Sequence, residues 1–159
     1  MTTPFKINTP LVLHVEVKAT SDSPAFTAKA MLNHQRQQYF ATALSMEHMT
    51  VKLTSALVQA TPIQKTMAPV LRHLLADANK DLLLAHPLVR RWATGKQQRP
   101  VAKTLIEKPD MATVTGAALV YRLAKLSGEA PIKATARAAG IDRDNARYWL
   151  KLARSGGLL

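Results

Sequence analysis

Cysteine is absent from this chain, which excludes disulfides and thiolate metal centres. Aromatic residues are scarce at 5%, so a core has to be assembled mostly from Leu, Val, Ala, Ile and Met. No uninterrupted apolar stretch approaches the roughly 20 residues that a membrane-spanning helix needs. Residues 1–10, MTTPFKINTP, lack a charged segment followed by a long apolar run, so no secretion signal is expected. Acidic residues are few: 10 Asp and Glu stand against 22 Lys and Arg, for a net charge of +12.

Catalytic constellations are missing too. His14, His34, His48, His73 and His86 are scattered, without HExxH or paired-ligand spacing. His73, beside an apolar helical stripe, reads as a tolerated residue at the core edge rather than a ligand. Gly95-Lys96 has neither the upstream Gly nor the downstream Ser/Thr of a phosphate loop. An enzyme is therefore not expected, and neither is a metal or a cofactor. What remains is 47% hydrophobic residues and 20% charged ones in 159 residues, enough for a packed core in one domain or two small ones. The expectation is a cytoplasmic protein whose charge favours a polyanionic partner, most simply nucleic acid.

In residues 11–18, LVLHVEVK, Leu11, Leu13, Val15 and Val17 alternate with Val12, His14, Glu16 and Lys18, the period of a strand. Residues 20–24, TSDSP, form a turn-rich break. Phe26, Ala28, Ala30 and Leu32 alternate again, as do Phe40, Thr42, Leu44 and Met46, around the polar centre His34-Gln35-Arg36-Gln37. This pattern reads as a hairpin completing a three-stranded meander. The competing reading is one long helix, since Ala, Met, Leu and Gln favour helices.

Residues 47–51 read as a connector and 54–59 as the start of a short helix. Thr61-Pro62 supplies a cap and a proline at the first helical position for the next one. Ile63, Met67, Val70, Leu71, Leu74 and Leu75 form its stripe. Residues 80–93 read as a further helix interrupted by Pro87, with Leu82, Leu83, Leu84, Leu88, Val89 and Trp92 as its apolar residues. Residues 94–109, TGKQQRPVAKTLIEKP, are a basic linker, read as a solvated tether with phosphate contact as the alternative.

Asp110 or Thr113 caps a helix reaching about Ser127, with Gly128 at its end. Residues 131–159 read as a helix-turn-helix. Ala136 is the small residue of the first helix, Gly140 takes the positive φ of the turn, Ile141 plugs the core and Asp142 caps the second helix. There Ala146, Trp149, Leu150 and Ala153 share one face. Arg143, Asp144, Arg147, Tyr148 and Lys151 project from the other, as a major groove accepts. The plainer alternative is a capped helical hairpin on a basic protein.

From residue 120 the chain reads VYRLAKLSGEAPIKATARAAGIDRDNARYWLKLARSGGLL. Tyr121-Arg122, Gly128-Glu129-Ala130-Pro131, Ala136 to Gly140-Ile141, then Ala146, Trp149-Leu150, Ala153-Arg154 and Gly157-Leu158-Leu159 resemble the C-terminal module of small helix-turn-helix proteins of actinobacteria and their phages. A fainter likeness covers Leu53-Thr54-Ser55-Ala56-Leu57 and Thr61-Pro62-Ile63. The chain departs from that pattern at Asp142 and Asp144, where Ser or Thr is usual; Asp144 would repel phosphate or accept from cytosine N4.

The combined expectation is an α+β chain: an N-terminal part, 1–93, with an antiparallel β-meander and helices; the linker, 94–109; and a three-helix helix-turn-helix bundle, 110–159. Its function would be sequence-specific DNA binding and transcriptional regulation, reading the major groove of double-stranded DNA with helix 143–154. Arg143, Asp144, Asn145, Arg147 and Tyr148 would face the bases; Lys133, Arg137, Lys151 and Arg154 would neutralise phosphates. One such module buries little surface, so the N-terminal part is a candidate for homodimerisation or for a protein partner. The alternatives are a nonspecific architectural nucleic-acid binder and a protein-interaction adaptor.

Overall fold

The computed structural model describes residues 6–18, 25–45, 63–96 and 109–159. Among the described residues it is α+β: a three-stranded antiparallel sheet followed by six helices. The strands are β1 (Val12–Val17), β2 (Phe26–Asn33) and β3 (Gln38–Ser45), in the order β1-β2-β3. The helices are α1 (Ile63–Ala78), α2 (Lys80–Ala85), α3 (Pro87–Thr94), α4 (Met111–Ser127), α5 (Pro131–Ala139) and α6 (Arg143–Ser155). The readings of 47–51 and 54–59, the Thr61-Pro62 start and most of the 94–109 linker lie outside the described residues.

The period-two pattern builds the sheet over residues 26–45, so the single long helix is excluded there. Leu13, Val15 and Val17 and then Phe26, Ala28, Ala30 and Leu32 are buried on one face. Leu11, expected on that face, precedes β1 and is exposed.

In β3 the expected phase is corrected. Tyr39 is fully buried while Phe40 is 42% exposed. The turn sets this register. Asn33 Oδ1 accepts from Arg36 N–H at 3.0 Å, Gln37 takes a φ of 53°, and Asn33 lies opposite Gln38. Directly opposed residues share a face, so inward Leu32 brings Tyr39 inward and Met31 leaves Phe40 outside. A bulge then resets the phase: Ala30 pairs with Ala41 and Lys29 with Ala43, so Thr42 is the extra residue. Its hydroxyl donates to Lys29 O at 3.0 Å. Past the bulge Leu44 opposes Ala28 and packs on the core again.

Helix α1 covers the inner face with Met67, Leu71 and Leu75, all fully buried. At its end Asn79, 5% exposed, pairs with the arm before β1 as a strand would. Its Oδ1 accepts from Asn8 N–H at 2.7 Å and its Nδ2 donates to Asn8 O at 2.9 Å. The arm thereby seals the sheet, with Ile7 in the core. The apolar run at 80–93 is two helices, because Pro87 cannot continue α2 and instead opens α3 at its first turn. Leu82, Leu88, Val89 and Trp92 point inward; Leu84 is 80% exposed and His73 is also exposed.

One buried cluster joins the sheet, α1 and α3 to Leu119, Val120 and Leu123 of α4 and to Trp149 of α6. The residues on either side of 94–109 therefore share a core. No helix among the described residues is long and apolar enough to cross a membrane.

Tyr39 sets a testable property of this core. Its hydroxyl donates to Pro10 O, and burial pushes its pKa from 10.0 up to about 12. The folded chain thus holds this proton more tightly than the unfolded chain. The stability linked to it is complete below pH 10 and disappears as pH rises through about 12. Urea titrations should lose about 2–3 kcal/mol across that window from this residue, at about 1.4 kcal/mol per pKa unit. Tyr39→Phe should flatten the dependence by that amount; an unchanged dependence would refute the assignment.

Candidate nucleic-acid interface

Helix α4 begins at Asp110, whose side chain accepts from Thr113 N–H at 2.8 Å. The Thr113 side chain and N–H hold that carboxyl below the usual carboxylate range. The helix ends at Gly128, φ 80°. Pro131 then opens α5, where a missing N–H is harmless. Gly140 closes α5 with φ 70°, a conformation a β-carbon would strain, and Ile141 N–H reaches back to Ala136 O at 3.1 Å. Two residues later Asp142 starts α6: its Oδ1 accepts from Asn145 N–H at 2.8 Å. The pieces read from residues 131–159 are therefore in place as two short capped helices across a tight turn.

The seating of α6 follows from its sequence. Ala146, Trp149, Leu150 and Ala153 are buried against α4 and α5. Ala153 also joins Val114 and Ala118 of α4 in a second small cluster, with Leu152 and Leu158 beside it. Leu158 is brought back by its N–H bond to Ala153 O at 2.9 Å. With this face fixed, Arg143, Arg147, Lys151 and Arg154 are all exposed. At 100° per residue they fall within a stripe about 80° wide. Asp144 and Tyr148, both exposed, lie together beyond one edge of it, and buried Leu150 lies beyond the other.

The individual side chains sort the expected contacts. Arg147 Nη1 pairs with Asp144 Oδ1 at 2.6 Å, with 62% and 87% of the two side chains exposed. A pair so exposed contributes at most about 1 kcal/mol, so Arg147 is easily exchanged to another acceptor. Asn145, expected to face bases, is engaged elsewhere: its Nδ2 donates to Asp142 Oδ2 at 3.0 Å, and the side chain braces the cap. Lys133 is exposed on α5. Arg154 lies over the Tyr121 ring, 5.9 Å from its centroid.

Arg137, expected among the phosphate contacts, is instead part of an interior ion triad. Its Nη2 is 2.8 Å from Glu129 Oε2, and Arg72 Nε is 2.7 Å from Glu129 Oε1. The Glu129 side chain is only 10% exposed. The triad ties α1, the turn after α4 and α5 together. Residues 57 positions apart meet here, and no local sequence signal announces it. Among the described residues, no group of three or more His, Asp or Glu could hold a metal ion.

No protein-family model matches the chain, and no curated protein and no solved structure matches it.

Two stability tests follow from this geometry. Asp142→Ala removes the α6 cap and should cost about 1 kcal/mol in urea unfolding; a neutral substitution would mean that the cap does not seat the helix. Glu129→Gln should cost more, about 2–4 kcal/mol, because it leaves two largely buried guanidinium groups without a counter-charge. Asp144→Asn, at the exposed pair, should shift stability by less than about 1 kcal/mol. Equal losses in the two carboxylate variants would contradict the triad.

Proposed function

We propose that this chain is a sequence-specific double-stranded DNA-binding protein, a transcriptional regulator, in which α4, α5 and α6 form a helix-turn-helix bundle. The observation that carries this reading is the face of α6. A helix held by a buried apolar back presents Arg143, Arg147, Lys151 and Arg154 to solvent, and a tight turn follows α5 immediately before it. A major groove is wide enough for a helix, and an arginine fork matches guanine O6 and N7. On this reading Arg143, Arg147 and Tyr148 reach base edges or adjacent phosphates. Lys133, Lys151 and Arg154 neutralise the backbone. Arg137 acts from within as a strut, and Asn145 braces the cap at the surface. The likeness of residues 120–159 to the helix-turn-helix modules of actinobacterial and phage proteins supports the same reading.

A second reading, nonspecific architectural binding, draws on one observation. The amide best suited to adenine, that of Asn145, is bonded to Asp142. This leaves a stripe dominated by cations, which suits phosphates as well as guanine.

Selection from random duplexes with sequencing of the bound fraction, for the wild type and Arg147→Ala, decides between them. Base readout predicts an enriched motif that changes or weakens in the variant, by roughly 1–3 kcal/mol at the affected base pair. A palindromic motif adds a dimer. Tight binding with a steep salt dependence and no motif supports the architectural reading. Absence of binding at modest salt sinks both and leaves an adaptor role.

A further inference from the structure

A second basic feature lies beside α6, at the junction of its C-terminal end with α4. Arg122, Lys125 and Arg154 line a cleft of about 570 Å³ there, together with Tyr121. No Asp or Glu side chain lines it. The three ion pairs found among the described residues lie elsewhere, and neither Arg122 nor Lys125 takes part in one. Arg122 and Lys125 stand three apart on α4, where like charges repel by a few tenths of a kcal/mol. An anion between them would relieve that repulsion. Arg154 lies over the Tyr121 ring, 5.9 Å from its centroid, which brings this third cation to the cleft beside α4.

The remaining lining is mixed: aliphatic Ile7 from the arm, Leu126 from α4 and Leu158 and Leu159 from the segment after α6, with Gly157 and the polar side chains of Thr9 and Gln37. A bare phosphate would occupy a small part of such a volume, which lies in the ordinary range of organic-ligand sites, about 300–1,000 Å³. Three cations together with aliphatic side chains in one cleft fit a ligand with an anionic head and an organic body.

We propose that this cleft binds a phosphate group carried on an organic body, with Arg122, Lys125 and Arg154 on the phosphate and Ile7, Leu126 and Leu158 on the body. The phosphate has two sources: a free organic phosphate, or a nucleotide of the duplex proposed above to lie on α6. The second source alone rests on that functional reading.

The test uses the full chain, labelled with ¹⁵N, titrated with adenosine 5′-monophosphate and, separately, with adenosine. Saturable shifts centred on the amides of Tyr121, Arg122, Lys125 and Gly157 are expected with the nucleotide and not with the nucleoside. Arg122→Gln with Lys125→Gln should weaken them at least tenfold, while the amide spectrum elsewhere reports that the fold is retained. Lys125→Arg should preserve binding. The proposal is overturned by shifts that are absent, equal for the two compounds, or confined to residues 143–151. This arm needs no DNA binding, so its failure is separate from failure of the proposed function. A 20-base-pair duplex then identifies the source. If the double variant lowers the salt slope of duplex binding by about two, the cleft holds backbone phosphate. If duplex binding is unchanged while nucleotide binding is lost, the ligand is a free organic phosphate.

Discussion

Burial of α4 on nearly every side is the constraint on which the rest of the fold depends. Most of a helix's surface can be removed from water only if its residues are apolar and its neighbours can approach closely. Between Val114 and Ser127 this helix carries Gly116, Ala117, Ala118 and Ala124 among its Leu and Val residues, and all of these are buried. A β-carbon added at Gly116 would lie 3.3 Å from Leu88 Cδ1, so α3 packs almost directly on the α4 backbone. The sheet and α1 cover another side, and α5 with α6 the rest. The core is continuous because one helix belongs to both of its halves.

Electrostatics then divides the basic residues into two groups. Arg72 and Arg137 are neutralised by Glu129 inside the structure and act as struts between α1, the α4–α5 turn and α5. Arg143, Lys151, Arg122 and Lys125 have no ion pair among the described residues and lie along α6 and the adjoining part of α4. Cations left unpaired repel each other and lower stability unless an anion is supplied.

Much of the architecture could be read from local pattern. The alternation in residues 12–17 and 26–33, Pro87, the Asp110 and Asp142 caps, Gly128 and Gly140 each act within a few positions of themselves, so their consequences are visible in sequence. The phase of β3 was not. Phe40 and Tyr39 are both β-formers, and the choice between them came from the turn at 34–37 and the bulge at Thr42, which pairing with β2 imposes. The buried face of α6 was legible from the spacing of Ala146, Trp149, Leu150 and Ala153. The engagement of Asn145 by its own cap and of Arg137 by Glu129 was not, although both are polar residues of the kind that reads DNA.

By itself the sequence determined which segments become strands or helices, where most of them stop and which side of α6 meets solvent. These depend on backbone φ, hydrogen-bonding caps and hydrophobic period, all set by neighbours along the chain. Only the tertiary structure decided which cations are free. Pairing of Arg72 with Glu129, and the meeting of Arg122 and Lys125 with Arg154 in one cleft, require elements far apart in the chain to pack side by side. An ion pair or a binding cleft depends on distances in space of a few ångströms, and spacing along the chain does not encode them.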